Sequence, residues 1–380
     1  MTQRTLLILS FTDIAADARV KKQALLFADE YRVVTCGYGE AVRDDIEHIQ
    51  LSTGVAAAAG ARRYLEPFWV RSHAYRLAFH SDLRAQHAIA ALAGRQFDAV
   101  VANELETLSV AYAVSDPGRV LLDLHEYYPG LRDDLPVWVR VRKPYQQWLL
   151  RNRASRAGAV TTVSGTIAER YEAEFGLSCG VVWNAAPLRP ELTTQPAHTP
   201  IRLVHSGVAA ENRRPEVMMR AAARTRANVT LDMYLTQQHS EFGQKLLALA
   251  TELGPRVTIH PPVPNAELVE TLNAYDVGVH ILAPTNTNNE LALPNKFFDF
   301  VQARLGMIIG PTADMAKLLR SYDLGAVADG FDEAAVTAVF DGLDEADIKR
   351  WKANAAEAAA ELSADQQHGV WLRAVEGILV

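Results

Sequence analysis

Short apolar runs alternate with amphipathic segments along almost the whole chain, so that a period of two residues keeps giving way to one of about 3.6. Leu6–Leu9 is the first apolar run, the polar text SFTDIAADAR follows, and a helical pattern covers Val20–Glu30. Strand, loop and helix in that order open a parallel α/β sheet. Further strands are expected at Tyr31–Thr35, Ile46–Leu51, Ala99–Ala102, Val120–Leu124, Ala159–Val163 and Gly180–Trp183, with one long helical region from Arg62 to Gly94. From Ala185 to Pro200 the text carries four prolines and no period, which marks a linker. The alternation then resumes, with strands near Ile201–His205, Val229–Leu235, Arg256–Ile259, Asp276–Ile281, Met307–Ile309 and Gly325–Ala328. Helices fall between them, among them Glu216–Arg226, Phe242–Leu253 and Ala266–Ala274, and the tail is helical from Ile348 with a break near Leu362–Ser363. The pattern predicts two doubly wound α/β domains, 1–190 and 200–362, facing across a cleft, with a last helix, 364–380, packing back on the first.

Composition narrows the partners. A chain of 380 residues, 49% hydrophobic and 22% charged, can bury two cores and is not a disordered polymer. Its net charge of −7 argues against nucleic acid as a partner, because a phosphate backbone needs a basic face. Cys36 and Cys179 lie far apart without CxxC spacing, which indicates neither a disulfide framework nor a zinc site and fits a reducing cytoplasm. No apolar run approaches the roughly 18 residues of a spanning helix, and MTQRTLLILSF is too short-cored for a signal peptide. The expected location is therefore cytoplasmic. His73, His80 and His87 recur at intervals that place them two helical turns apart, too far for one ion, so no metal is expected there. Neither G-x-G-x-x-G after the first strand of either half nor a Walker-type loop occurs, which demotes a dehydrogenase and a P-loop NTPase.

The candidate chemistry concentrates in Pro284–Pro311, PTNTNNELALPNKFFDFVQARLGMIIGP. An Asn-rich loop leads to Pro294 and Asn295, where proline's fixed φ and asparagine's capping side chain suit a helix start. An amphipathic segment Lys296–Arg304 and the strand Met307–Ile309 follow. Lys296 sits at the positive end of that helix, where the dipole opposes it. Such a placement points to a bound anion; a lysine that only snorkels to solvent is the other reading. In the first half, His125 stands just past the strand Val120–Leu124, at the end where parallel sheets bind ligands.

Taken in order, these pieces resemble the GT-B glycosyltransferases, the family 4 type (glycosyl transferases group 1), over nearly the whole length. The matching text is Asp17-Ala-Arg19-Val20, Ala102-Asn103-Glu104-Leu-Glu106, Asp123-Leu-His125-Glu126, Val163-Ser164, Trp183-Asn184, His205-Ser206-Gly207, Glu211-Asn212-Arg213 and Leu293-Pro294-Asn295-Lys296-Phe297-Phe298-Asp299-Phe300. The resemblance implies two Rossmann-like domains and transfer of a sugar from a nucleotide-diphosphate-sugar to a hydroxyl acceptor, with retention; no DxD-like site stands near the expected donor loop, so no metal or other cofactor is expected. Arg213 and Lys296 would hold the donor diphosphate, and Asp299 the ribose. Ser206, Gly207, Asn289, Glu290, Leu291 and Asn295 would complete the donor side, with His125 and Glu290 at the reacting centre. Asp17, Arg19, Glu104, Glu126 and Asn184 would face the acceptor.

Some positions depart from the family pattern. Two glutamates with seven residues between them are usual, and counting back from Asp299 gives Leu291 where the first should stand. Either the neighbouring Glu290 takes its place after a loop shift, or backbone N–H groups of Asn288–Leu291 hold the sugar. The stretch 135–156 mixes Trp138, Tyr145 and Trp148 with Arg140, Arg142, Lys143, Arg151, Arg153 and Arg156. It reads as a peripheral contact with an anionic membrane, which would suit a lipid-linked acceptor, or as a solvated amphipathic helix. A sugar-nucleotide 2-epimerase of the same fold and a catalytically silent partner subunit are the alternative functions.

Overall fold

The structure is a computed structural model that describes residues 3–55 and 59–379; Met1, Thr2 and Val380, at the ends of the expected first domain and last helix, lie outside the described residues. The chain divides into two compact units. The first runs to Trp183 and also takes Asn286–Asn288 and the chain from His368, and the second comprises Asn184–Thr285 and Asn289–Gln367.

Unit 1 is built on a seven-stranded parallel sheet. Its strands are β1 (Thr5–Asp13), β2 (Arg32–Tyr38), β3 (Glu47–Gln50), β4 (Ala99–Asn103), β5 (Val120–Leu124), β6 (Ala159–Thr162) and β7 (Gly180–Val181), in spatial order 3-2-1-4-5-6-7. Every residue of β4 and β5 is buried, as mostly apolar strands covered on both faces should be, with the polar Asn103 and Asp123 at their carboxyl ends. The core joins Leu6, Ile8, Val20 and Phe27 to Trp371, Val375 and Ile378 of the last helix, Ala364–Ile378. Connections leave β1 in one direction and β4 in the other, so the carboxyl ends of these two neighbours form the unit's switch point.

Unit 2 carries a six-stranded parallel sheet of β8 (Ile201–Val208), β9 (Val229–Thr236), β10 (Val257–His260), β11 (Val277–His280), β12 (Gly306–Ile309) and β13 (Gly325–Val327). The order 10-9-8-11-12-13 puts its switch point at the ends of β8 and β11. Helix Asn295–Gln302 buries Phe297, Phe298, Phe300 and Val301 against this sheet. Phe300 can lie on β11 because Gly278 stands beneath it, where a Cβ would come 2.4 Å from the ring. That contact fixes the helix whose first turn carries Lys296.

The structure departs from the sequence reading in four places. The region 62–94 is not one helix: a tight turn, Gly60–Tyr64, precedes helices Leu65–Arg71, Tyr75–Ser81 and Leu83–Ala91. His73 has a φ of 58°, which ends one helix, and the Asp82 carboxylate caps the next by accepting from the backbone N–H of Arg84 and Ala85. β1 extends through SFTD, text expected to be loop. β8 extends through Ser206 and Gly207, which pair in register with Tyr234 and Leu235 of β9. Helix Glu333–Asp341, between the last strand and the helical tail, was not anticipated. Among the described residues no helix is long and apolar enough to cross a membrane.

Candidate functional site

At the carboxyl end of the first sheet, Asp123 of β5 is fully buried, and a lone carboxylate there would be costly. Arg19 meets it with two hydrogen bonds, Nε and Nη2 each donating over 2.7 Å. Gln23 Nε2 and Thr161 Oγ1 donate at 2.6 Å each. Arg19 Nη1 donates to Val182 O at 2.8 Å, and the guanidinium lies 4.8 Å from the centre of the Trp371 ring. Burial pushes the Asp123 carboxyl up, but the charge and hydrogen bonds of Arg19, with those of His125, outweigh it and hold it well below the usual range. Arg19, expected to face an acceptor, is 3% exposed and compensates Asp123 instead. Asp17 caps the same helix through the backbone N–H of Arg19 and Val20.

Asp123 in turn orients His125. The His125 Nε2 lies 3.0 Å from Asn103 Oδ1 and 3.3 Å from Asp123 Oδ2, while Nδ1 lies 3.4 Å from Glu104 Oε1. With acceptors at both nitrogens the ring is set up as a double donor. Burial lowers its basicity, but Glu104 and Asp123 overcome this and leave it raised. Glu104 follows β4 with a φ of 75°, a conformation that costs a non-glycine residue about 1–3 kcal/mol. Its Oε2 lies 2.6 Å from the Tyr128 hydroxyl, which lies 2.7 Å from Glu106 Oε2 as well. One phenolic proton cannot serve two carboxylates, so one carboxyl supplies a proton of its own. Burial, offset by His125 and reinforced by Glu106, pushes Glu104 up to about 7. Hydrogen-bonding groups thus run from His125 through Glu104 and Tyr128 to Glu106. Glu106 opens on a cavity of about 520 Å³ whose walls include Phe79, Leu105, Trp138, Tyr145 and Gln146.

At the second sheet's switch point the chemistry is cationic. Lys296 is half-buried; burial lowers its pKa, as does Arg213, against the opposing pull of Asp299. A Cβ on Gly207 would come 2.8 Å from His205 Nε2 and 3.3 Å from Lys296 Cε, so only glycine leaves this space open. Pro294 occupies the N-cap of the helix and contributes no side-chain hydrogen bond; Asn295 is the first helical residue and exposed. Arg213 is exposed at the end of the turn Glu211–Arg213. Ser206 is buried in β8.

The remaining expected residues scatter. Glu290 is exposed at the end of a one-turn helix, Thr287–Glu290, and Leu291 is buried. Asn289 donates its amide to Thr285 Oγ1 at 2.9 Å. The Glu126 carboxylate accepts from the Asn288 amide within unit 1, and Asn184, expected on the acceptor side, is the first residue of unit 2. Sequence reasoning missed Tyr128, Glu106 as a site residue, and His280, a buried histidine closing β11. The signal for His280 was present: like His125, it stands at a strand's carboxyl end. Among the described residues no group of three His, Cys, Asp or Glu side chains is placed to hold a metal ion.

No protein-family model matches the sequence, and no curated protein matches it. Solved structures do. A glycosyltransferase from Rickettsia africae superposes with a TM-score of 0.70 at 12% identity, covering 100% of this chain and 99% of the other. HepE of Anabaena in complex with UDP gives 0.68 at 13% identity, over 98% and 99% of the two chains. An α,α-trehalose 6-phosphate synthase from Burkholderia multivorans gives 0.68 at 12%, over 99% of each. The chain shares with them the GT-B fold of two Rossmann-like α/β units.

Two outcomes test the first-unit network. Arg19→Met strands the Asp123 carboxylate in the interior, and urea unfolding should show a loss of about 3–5 kcal/mol; a loss below 1 kcal/mol would contradict the pairing. Glu104 behaves oppositely to a salt-bridged acid. Because its folded pKa is raised to about 7, the stability it contributes is full below the ordinary carboxyl range and is lost as pH rises through 7. Replacing it as Glu104→Gln should flatten the fall in melting temperature between about pH 5 and 8, whereas an unchanged slope would assign the titration elsewhere.

Proposed function

We propose that the protein is a glycosyltransferase that moves a sugar from a nucleotide-diphosphate-sugar to a hydroxyl acceptor. The observation carrying this reading is Lys296 beside Gly207 and within electrostatic reach of Arg213, at the switch point of a GT-B second unit. HepE, a structure of this fold, is in complex with UDP. In the reaction the bond between the donor sugar and its phosphate breaks, and negative charge grows on the leaving diphosphate. Lys296 and Arg213 stabilise that charge more as it grows, which is what lowers a barrier. They do so without a metal, and Asp299, one helical turn beyond Lys296, holds the ribose hydroxyls. Transfer proceeds with retention, the departing phosphate oxygen taking the acceptor's proton. His125, poised as a double donor, contacts the sugar at the reacting centre.

The acceptor binds unit 1. Glu106 and Gln146, whose buried Oε1 has no hydrogen-bond partner among the described residues, offer acceptors for hydroxyl groups in the cavity beside Trp138 and Tyr145. The exposed large apolar side chains of the described residues lie on two segments: Tyr64, Leu65, Phe68 and Leu77 on one, Leu135, Val137 and Val139 on the other. Arg142 joins the segments through Glu66, and Arg62, Arg63, Arg71, Arg76 and Arg140 surround them, exposed. This apolar and basic face suits an anionic bilayer at the cytoplasmic surface, each cation contributing about 1 kcal/mol, and a lipid-linked acceptor. The basic end of 135–156 turns elsewhere: Arg151, Arg153 and Arg156 lie over Phe175, Phe79 and Tyr112.

A thermal-shift series with UDP, ADP and GDP tests the donor. One of them at about 100 times its Kd should stabilise the protein by about 2.7 kcal/mol, a rise of several degrees. Lys296→Ala should abolish the shift, and turnover should survive EDTA. Absence of any shift in the wild type would refute the donor reading, and loss of turnover restored by magnesium or manganese would refute metal independence. For the membrane face, flotation should recover the protein with phosphatidylglycerol vesicles and lose it in Phe68→Ser/Val137→Ser; equal recovery with neutral vesicles would refute it.

A further inference from the structure

His280 closes β11 at 7% exposure, and neither of its ring nitrogens has a hydrogen-bond partner among the described residues. A buried polar group left unmet costs about 1–3 kcal/mol. Native structures seldom keep such a group unless something absent from the chain itself completes it. Its ring lies parallel to that of His205, with centroids 5.9 Å apart and planes within 9°. His205 donates from Nδ1 to Val279 O at 2.8 Å, since a carbonyl only accepts. Its Nε2 is then a bare acceptor when the ring is neutral, and it borders the open space at Gly207.

The charged and titratable groups felt by His280 are Lys296 on the following helix, His205 on β8 and Arg213 on the turn after β8. Burial first, then these neighbours, lower its basicity well below the usual range; burial and Lys296, against the pull of the Val279 carbonyl, lower His205 to about 4. Burial and Lys296 thus keep both imidazoles uncharged, with Arg213 adding to the effect at His280. An anion seated on Lys296 and Arg213 would cancel the repulsion and bring oxygen acceptors to a ring that has none.

We propose that His280 is a contact for the donor's diphosphate and takes up a proton from solvent as that anion binds. The assignment rests on the donor reading above. The charge on the site rises only when its ligand is present, and the new N–H donates a charge-assisted hydrogen bond to a phosphate oxygen. Binding and protonation are reciprocal, so affinity strengthens as pH falls.

Titration calorimetry near pH 7 in two buffers of different ionisation enthalpy measures the protons exchanged. The probes are UDP, ADP and GDP in one arm and inorganic pyrophosphate in the other. The wild type should take up between about 0.3 and 1 more proton per bound anion than His280→Gln and His280→Phe, and its Kd should rise more steeply with pH, by up to tenfold per unit. His280→Gln keeps hydrogen-bonding atoms but cannot ionise, so it separates protonation from packing, and melting curves of both variants establish that they fold. Equal proton uptake in wild type and folded variants overturns the proposal, as does failure of all four anions to bind. Pyrophosphate binding with excess proton uptake, without binding of any nucleotide, would support the histidine's role while refuting the nucleotide donor.

Discussion

A parallel sheet whose connections diverge from two adjacent strands leaves a gap at their carboxyl ends that no crossover covers. Both units obey this constraint, at β1 and β4 in one and at β8 and β11 in the other. Backbone groups and strand-end side chains collect in such gaps, and a ligand can approach them. The placement of Glu104, His205, Gly207 and His280 follows from it. So does the position of Lys296, whose helix is seated by Phe300 against Gly278 of the strand that borders the gap.

The two gaps solve their electrostatics differently. In unit 1 the buried charge is compensated within the protein: Asp123 receives donors from Arg19, Gln23 and Thr161, and His125 is surrounded by Asn103, Asp123 and Glu104. The network fixes an imidazole in one orientation before any ligand arrives. In unit 2 burial and Lys296 act on two histidines held uncharged, joined by Arg213 at His280, whose two nitrogens have no partner among the described residues. A preorganised, self-compensated pocket suits a neutral hydroxyl compound, and a pocket with surplus positive charge suits a diphosphate.

Much of this architecture was legible in the sequence because buried parallel strands are short, mostly apolar runs recurring between helical segments, as AVVA at 99–102 and VLL at 120–122 are. The break at His73 was not legible, since a left-handed histidine has no local signature. Arg19 was misread for a related reason. Its text flags a charged residue after a strand, but only the fold shows that Asp123, 104 positions away, uses that charge. Tyr128 was hidden in the same way, because its meaning lies in the two glutamates that share its hydroxyl.

The loop before Lys296 shows where a family pattern stops being a guide. Leu291, standing where the pattern has a glutamate, is buried, and Glu290 beside it is exposed at the end of a single helical turn. A carboxylate at 291 would have to be desolvated, whereas leucine is an apolar side chain that burial favours, as at Leu293. With leucine at 291 the loop carries one carboxylate fewer than the pattern at that position. His280 supplies a buried polar ring that can pass from neutral to cationic, and an additional carboxylate nearby would hold it protonated in the empty site.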